Sequence, residues 1–172
     1  MKRRRSVLKI SGRFRVVEDF ERDLFIKVSE EHVKSPKDWI EDYRYSVDEF
    51  EEVLNDLKSN FEKDRLYLSV FEYEKDLLGF LWGELRREEN SIYINSLWVD
   101  KDYRRLGVGR FLKEQLTIYG MRHKFSRIDT TVSRKNVSII NLNRSLGYEE
   151  VESHNVFDFT LFPVFRTRKI LK

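Results

Sequence analysis

One stretch constrains this chain more than any other: Ile92 to Leu116, which reads I-Y-I-N-S-L-W-V, then D-K-D-Y, then R-R-L-G-V-G-R, then F-L-K-E-Q-L. Ile92 to Val99 is β-branched and aromatic with no Gly or Pro, the composition of a strand. Val108, Phe111, Leu112, Gln115, Leu116 and Tyr119 recur at three and four residues, the spacing of a helix face. Arg104, Arg105, Gly107, Gly109 and Arg110 lie between them. The unit is therefore strand, arginine- and glycine-bearing turn, helix.

Such a turn suits an anion. The first amides of a helix have no partner inside it, and the helix dipole puts partial positive charge there. Glycines at 107 and 109 let a phosphate approach the backbone, and the arginines add charge. Two familiar phosphate loops do not match. A P-loop needs Lys-Ser/Thr after its last glycine, but Arg110-Phe111 follows Gly109. A dinucleotide fingerprint needs a small residue three positions later, where Leu112 stands.

Arg104-Arg105-Leu106-Gly107-Val108-Gly109, after Leu97-Trp98-Val99, resembles motif A of the GNAT superfamily of N-acetyltransferases: Arg/Gln-x-x-Gly-x-Gly/Ala behind a strand ending Leu-x-Val. A second block agrees in order and spacing. Asn136 to Tyr148, N-V-S-I-I-N-L-N-R-S-L-G-Y, is similar to motif B of that family, Asn-x-x-Ala-x-x-Leu-Tyr-x-x-Leu-Gly-Phe. The resemblance implies an α/β (α+β) GNAT fold, a central mixed sheet of six to seven strands flanked by four helices and splayed between the fourth and fifth strands.

It also implies an acetyl-CoA site. The pyrophosphate would lie on the amides of Arg105 to Arg110, with Arg104, Leu106, Gly107, Val108 and Gly109 completing the turn. The pantetheine arm would run along Leu97, Trp98 and Val99 as an added strand, recognised through main chain. An amide near Leu97 would face the thioester carbonyl as oxyanion donor, and Asn136 would either hydrogen-bond the cofactor or cap the helix. Arg134, Lys135 and Lys113 are read as 3′-phosphate ligands or solvated surface charge. Motif B usually carries a tyrosine that protonates the leaving thiolate; here that position is Asn143. A carboxamide can donate a hydrogen bond to sulfur but cannot give up a proton near neutrality. A family glutamate on the motif A strand is replaced by Tyr93, so Glu84 on the neighbouring strand is the candidate general base, its competing reading being an ion pair at a strand end. The expected activity is N-acetyltransfer to a primary amine, a protein N-terminus or a small molecule, by direct attack in a ternary complex. The alternative is a CoA-binding module without catalysis. A homodimer through the C-terminal strand or tail is a family expectation.

The remaining numbers exclude other classes. The 172 residues fit a single N-acetyltransferase domain, 1–172, with a basic tail at 1–6 and a C-terminal extension at about 162–172. A net charge of +3 from 33 basic and 30 acidic residues argues against a dedicated nucleic-acid protein. Absent cysteine removes disulfides, thiolate nucleophiles and covalent acyl-cysteine chemistry. His32, His123 and His154 are too scattered for a metal centre, and no metal is expected. No apolar run approaches the roughly 20 residues of a membrane span, and Lys9, Gly12 and Arg13 interrupt any signal-peptide core, so the cytoplasm is the default location.

Along the chain, Arg13 to Val17 is expected as the first strand and Phe20, Leu24 and Val28 mark a helix. Phe50, Val53, Leu54, Leu57 and Phe61 mark a second, with a Ser46/Glu49 capping box. Arg65–Tyr73, Asp76–Leu85 and Arg127–Ser133 read as strands, Asn136–Leu146 as a helix, and 148–152 with 156–161 as a final hairpin. Acceptor contacts are expected from loops at Ser35–Tyr45, with Trp39, Tyr43 and Tyr45, and at Ser153–Val156.

Overall fold

The computed structural model describes residues 12–157 and 163–172. Its strands and helices follow the order β1 (Arg13–Val16), α1 (Arg22–Lys34), α2 (Val47–Glu62), β2 (Leu66–Tyr73), β3 (Asp76–Arg86), β4 (Ser91–Val99), α3 (Val108–Arg122), β5 (Arg127–Ser133), α4 (Val137–Ser145), β6 (Glu149–Phe157) and β7 (Pro163–Ile170). All seven strands form one sheet ordered β1-β2-β3-β4-β5-β7-β6. β4 and β5 pair in parallel and every other neighbouring pair is antiparallel.

Both faces of the sheet are covered, so its inner strands are buried on both sides. Leu78 to Gly83 is a continuous buried run in β3. On one face α3 packs Val108, Leu112 and Leu116 against Leu81, Leu85, Ile92 and Ile128. On the other, Phe25 and Val28 of α1 and Leu57 of α2 cover Leu68, Val70, Phe80 and Trp82. Each such side chain contributes about 1.5–3 kcal/mol on leaving water. α2 begins as its sequence predicts: Ser46 Oγ accepts from the Glu49 amide at 3.1 Å while the Glu49 carboxylate accepts from the Ser46 amide.

Two irregularities coincide in the middle of the sheet. β4 and β5 pair from Ser91–Arg127 to Ile94–Thr130 and no further. At that same point β4 skips a residue against β3: Ser96 faces Trp82 and Ile94 faces Gly83, which leaves Asn95 as a bulge. An extra residue bends and twists its strand. Past Ile94, β4 therefore turns away from β5 and opens the expected splay.

The C-terminus corrects the sequence reading. Residues 149–157 form one strand rather than two short ones, and the stretch expected as a tail is β7, inserted between β5 and β6. Val164, Phe165 and Thr167 are buried beside β5, while Arg166, Arg168 and Lys169 interleave with them. Those basic residues hide the strand from a reading by hydropathy. The N-terminal tail at 1–6 and the hairpin positions 158–161 lie outside the described residues.

Candidate active site

The splay makes a cleft of about 130 Å³, lined by Ile94–Leu97 of β4, Thr130–Ser133 of β5 and Lys113 of α3. Asn136, which caps α4, and Ile139 within it complete the lining, with His32, Pro36 and Trp39 from the end of α1 and the segment that follows it, which includes the 3₁₀ turn Ser35–Asp38.

At the mouth, the arginine- and glycine-bearing turn leads into α3. Arg105 takes φ +62° and Gly107 φ +94°, a backbone reversal that only glycine adopts without strain at the second position. Phe111 is the first amide of the helix to find a carbonyl, that of Gly107 at 2.9 Å. The amides of Val108, Gly109 and Arg110 precede that ladder, and no side chain caps them. A Cβ on Gly109 would stand 3.5 Å from Val99 Cγ2 and 3.7 Å from both Leu97 Cδ2 and Leu142 Cδ2. Its absence leaves a cradle between the helix start, β4 and α4. That cradle, three unladdered amides and the adjoining open strand edge fit a phosphate-bearing, extended ligand such as acetyl-CoA.

The residues singled out by sequence fall into three groups. Leu97 and Asn136 line the cleft, and Gly107, Val108, Gly109 and Arg110 form the helix start beside it. Trp98 turns its indole to the opposite face, stacked on Phe80 at 5.7 Å, so only its main chain faces the splay edge. The Val99 carbonyl accepts from Arg104 Nε at 2.9 Å, and Arg104 also pairs with Asp38 at 2.6 Å. That pair ties the turn to the wall formed by the 3₁₀ segment. Arg110 is held by Ser145 Oγ at 2.7 Å, and Leu106 projects outward.

Asn136 caps α4, its Oδ1 accepting from the Ile139 amide at 3.2 Å, and still borders the cleft. Glu84 is elsewhere: its carboxylate accepts from Arg86 Nε at 2.8 Å, and it is not among the cleft-lining residues. Arg134 pairs with Glu150 at 3.0 Å.

Lys113 is not a solvated surface charge. It is 2% exposed, and its Nζ donates to Asn143 Oδ1 at 2.7 Å while lying 4.1 Å from the centre of the Tyr148 ring. Asn143 is equally buried, and its Nδ2 donates to Thr167 Oγ1 at 3.2 Å. Burial, reinforced by Lys169, lowers the Lys113 amine to about 7. Nothing in the sequence neighbourhood of His32 points to the cleft. The fold brings its ring to the cleft wall, 5.5 Å from Trp82, and burial lowers it to about 4, so it is neutral at pH 7.

Of the aromatic loop, Trp39 reaches the cleft, whereas Tyr45 lies under Lys37 at 5.5 Å. Ser153–Val156 belongs to β6, and its side chains lie outside the described residues. Among the described residues, no helix is long and apolar enough to cross a membrane, and no three His, Asp or Glu converge on a metal position.

Comparison with known proteins agrees with this geometry. An acetyltransferase of the GNAT family from Staphylococcus aureus Mu50 superposes with a TM-score of 0.74 at 15% identity, over 93% of this chain and 100% of its own. The ribosomal-protein-S18-alanine N-acetyltransferase of Escherichia coli gives 0.66 at 17% identity, over 92% and 94%. Ard1 from Thermoplasma volcanium gives 0.71 at 16%, over 95% and 99%. At these identities the likeness is one of fold. No match was found among curated proteins. The sequence profile of the acetyltransferase (GNAT) family, however, matches residues 27–148, from the first helix through the end of motif B. With the splayed β4–β5 pair and the glycine-bearing helix start inside that span, the chain belongs to the GNAT acetyltransferase family.

Proposed function

We propose that this chain transfers an acetyl group from acetyl-CoA to a primary amine, by direct attack within a ternary complex. The observation that carries the reading is the opening of β4 from β5 just past Ile94 and Thr130, beside the unladdered amides of α3. When bound, acetyl-CoA supplies an acetyl group already activated as a thioester.

The chain's own residues would then divide the work. Amides from Arg105 to Arg110 bind the pyrophosphate, aided by the helix dipole. Main chain at Leu97–Val99 pairs with the extended arm as a further strand would. An amide near Leu97 stabilises the oxygen as it gains charge, a contribution of about 3 kcal/mol. Asn136 fixes the start of α4 against the cleft. His32 and Trp39, which also line the cleft, would meet the acceptor.

Proton chemistry bears on the acceptor. Glu84 is engaged by Arg86 outside the cleft lining, and no tyrosine stands at 143. A lysine-type amine of pKa ~10.4 costs about 4.6 kcal/mol to deprotonate at pH 7, an α-amine of pKa ~8 only about 1.4. Holding amine and thioester together supplies roughly 7–11 kcal/mol without any base. The site is therefore better suited to an amine that is cheap to deprotonate, such as a peptide N-terminus.

Free-thiol release from acetyl-CoA, measured with peptides offering only an α-amine or only an ε-amine, tests this. Higher kcat/KM on the α-amine supports the reading, and a clear ε-amine preference overturns the acceptor assignment. The second reading, a CoA-binding module without catalysis, is favoured by one observation, Asn143 in the tyrosine position. Thermal stabilisation by CoA with no turnover on any amine would select it.

A further inference from the structure

We propose that Lys113 is the acid that protonates the departing sulfur, and that Asn143 positions its ammonium group. The proposal rests on the acetyl-transfer reading above.

Lys113 lines the cleft together with Leu97 and Asn136. A buried ammonium loses its hydration, and natural chains rarely accept that loss without an opposite charge. The partners of Lys113 are instead neutral: the Asn143 carboxamide at 2.7 Å and the face of the Tyr148 ring at 4.1 Å. Packing alone would be served better by methionine or leucine. Asn143 is itself fixed, because Thr167 Oγ1 accepts from its Nδ2 at 3.2 Å and so turns Oδ1 toward the lysine.

A neutral acceptor orients an ammonium without stabilising its charge as a carboxylate would. The charged neighbours act in the same direction or at one remove. Lys169 on β7 opposes a second positive charge, Tyr148 is held as a neutral phenol by burial, and Asp129 on β5 acts on Tyr148. Burial and Lys169 together leave the amine with a pKa of about 7, where an acid is both protonated often enough and strong enough to donate. Asn143 cannot itself give up a proton near neutrality. Together the pair can do what the missing tyrosine would.

The step balances. The acceptor nitrogen bonds to the acetyl carbon as the carbon–sulfur bond breaks, and that bonding pair stays on sulfur. Lys113 Nζ gives sulfur its proton, making a free thiol. The acceptor nitrogen sheds one proton to water, and Lys113 regains one from solvent.

Lys113→Met keeps the length and volume of the side chain, and a thermal melt checks that it folds. The first readout needs no acceptor: the ionisation of the thiol of bound CoA, followed by thiolate ultraviolet absorbance against pH. The wild-type ammonium should lower it by about one unit or more from that of free CoA, and Lys113→Met should restore it. The second readout is kinetic. Lys113→Met should lose about 10²-fold in kcat with the KM for acetyl-CoA within about twofold. Asn143→Asp should move the alkaline fall of kcat to higher pH, because a carboxylate favours the ammonium; it also serves if Lys113→Met fails to fold. An active wild type whose bound thiol titrates as free CoA does, or is unchanged in Lys113→Met, overturns the proposal. Acetylation of Lys113 by acetyl-CoA would also overturn it, since the amine would then be a nucleophile. If the wild type binds no CoA, the acetyl-transfer reading falls and takes the inference with it.

Discussion

Lys113 Nζ and Asn143 Oδ1 meet at 2.7 Å where α3 passes α4, both residues almost wholly removed from solvent. A titratable group in such a place writes itself into the pH dependence of stability. The folded chain holds the amine at about 7 against an ordinary 10.5, so between those values the unfolded chain binds the extra proton. Stability must then rise with pH across that window, by at most about 1.4 kcal/mol per unit from this group. Removing the lysine alone would strand Asn143 Oδ1, whereas replacing both partners with apolar groups is close to neutral. Denaturant melts between pH 7 and 10 should therefore show the rise in wild type and its loss in Lys113→Met/Asn143→Leu. The same slope in both proteins would show that this amine titrates normally.

The two glycines of the turn are not equivalent, and that makes one of them the cleaner probe. Gly107 has φ +94°, so any side chain there costs about 1 kcal/mol or more through backbone strain alone. Gly109 is helical, and an added Cβ would meet Val99, Leu97 and Leu142 at ordinary contact distances of 3.5–3.7 Å. Gly109→Ala should melt within about 0.5 kcal/mol of wild type. Gly109→Leu should fill the cradle and weaken CoA binding about tenfold or more by calorimetry. Unchanged affinity in Gly109→Leu would place the pyrophosphate elsewhere.

How much of this was legible follows from which interactions are local. The capping box of α2, the ends of β5 and the strand–turn–helix unit depend on neighbours in sequence, and the sequence places them correctly. β7 was missed because Arg166, Arg168 and Lys169 alternate with its buried residues. The burial of Lys113 was invisible for a different reason. Its helix is amphipathic around Leu112 and Leu116, and a lysine next to that face reads as solvated until β7 and Tyr148 close over it. The one local hint was Asn143, a shorter residue than the motif's tyrosine, which leaves a partner to be supplied from α3. His32 had no hint, since its meeting with Trp82 spans fifty residues of chain.

Asp129 joins β5 to β7 by accepting from Arg168 Nε at 2.6 Å, and from Arg127 Nε of its own strand at 3.0 Å. Burial works against the carboxylate, but the two arginines outweigh it and hold the group below its ordinary 3.8. The contribution is thus present above pH 3.8 and is lost as acid protonates the folded carboxylate below it. Asp129→Asn should cost about 2 kcal/mol at pH 7, where it leaves both arginines facing a neutral amide. The gap between the two proteins should close as pH falls below 3.8. A constant gap down to pH 2 would mean that the charge is not what joins the strands.

His32 acts in a separate window. Burial at the end of α1 holds its imidazole at about 4 against an ordinary 6.5, so the folded chain resists a proton that the unfolded chain accepts between those values. The stability tied to the neutral ring is whole above pH 6.5 and falls as pH drops toward 4, by at most about 1.4 kcal/mol per unit. This lies above the range in which Asp129 protonates, so the two groups separate on one titration. His32→Phe keeps a flat ring against Trp82 and has no proton to take up. Melts from pH 7 to 4.5 should show wild type losing stability faster than His32→Phe, with the curves converging above pH 6.5 apart from a fixed packing offset. Parallel curves throughout would show an imidazole open to water.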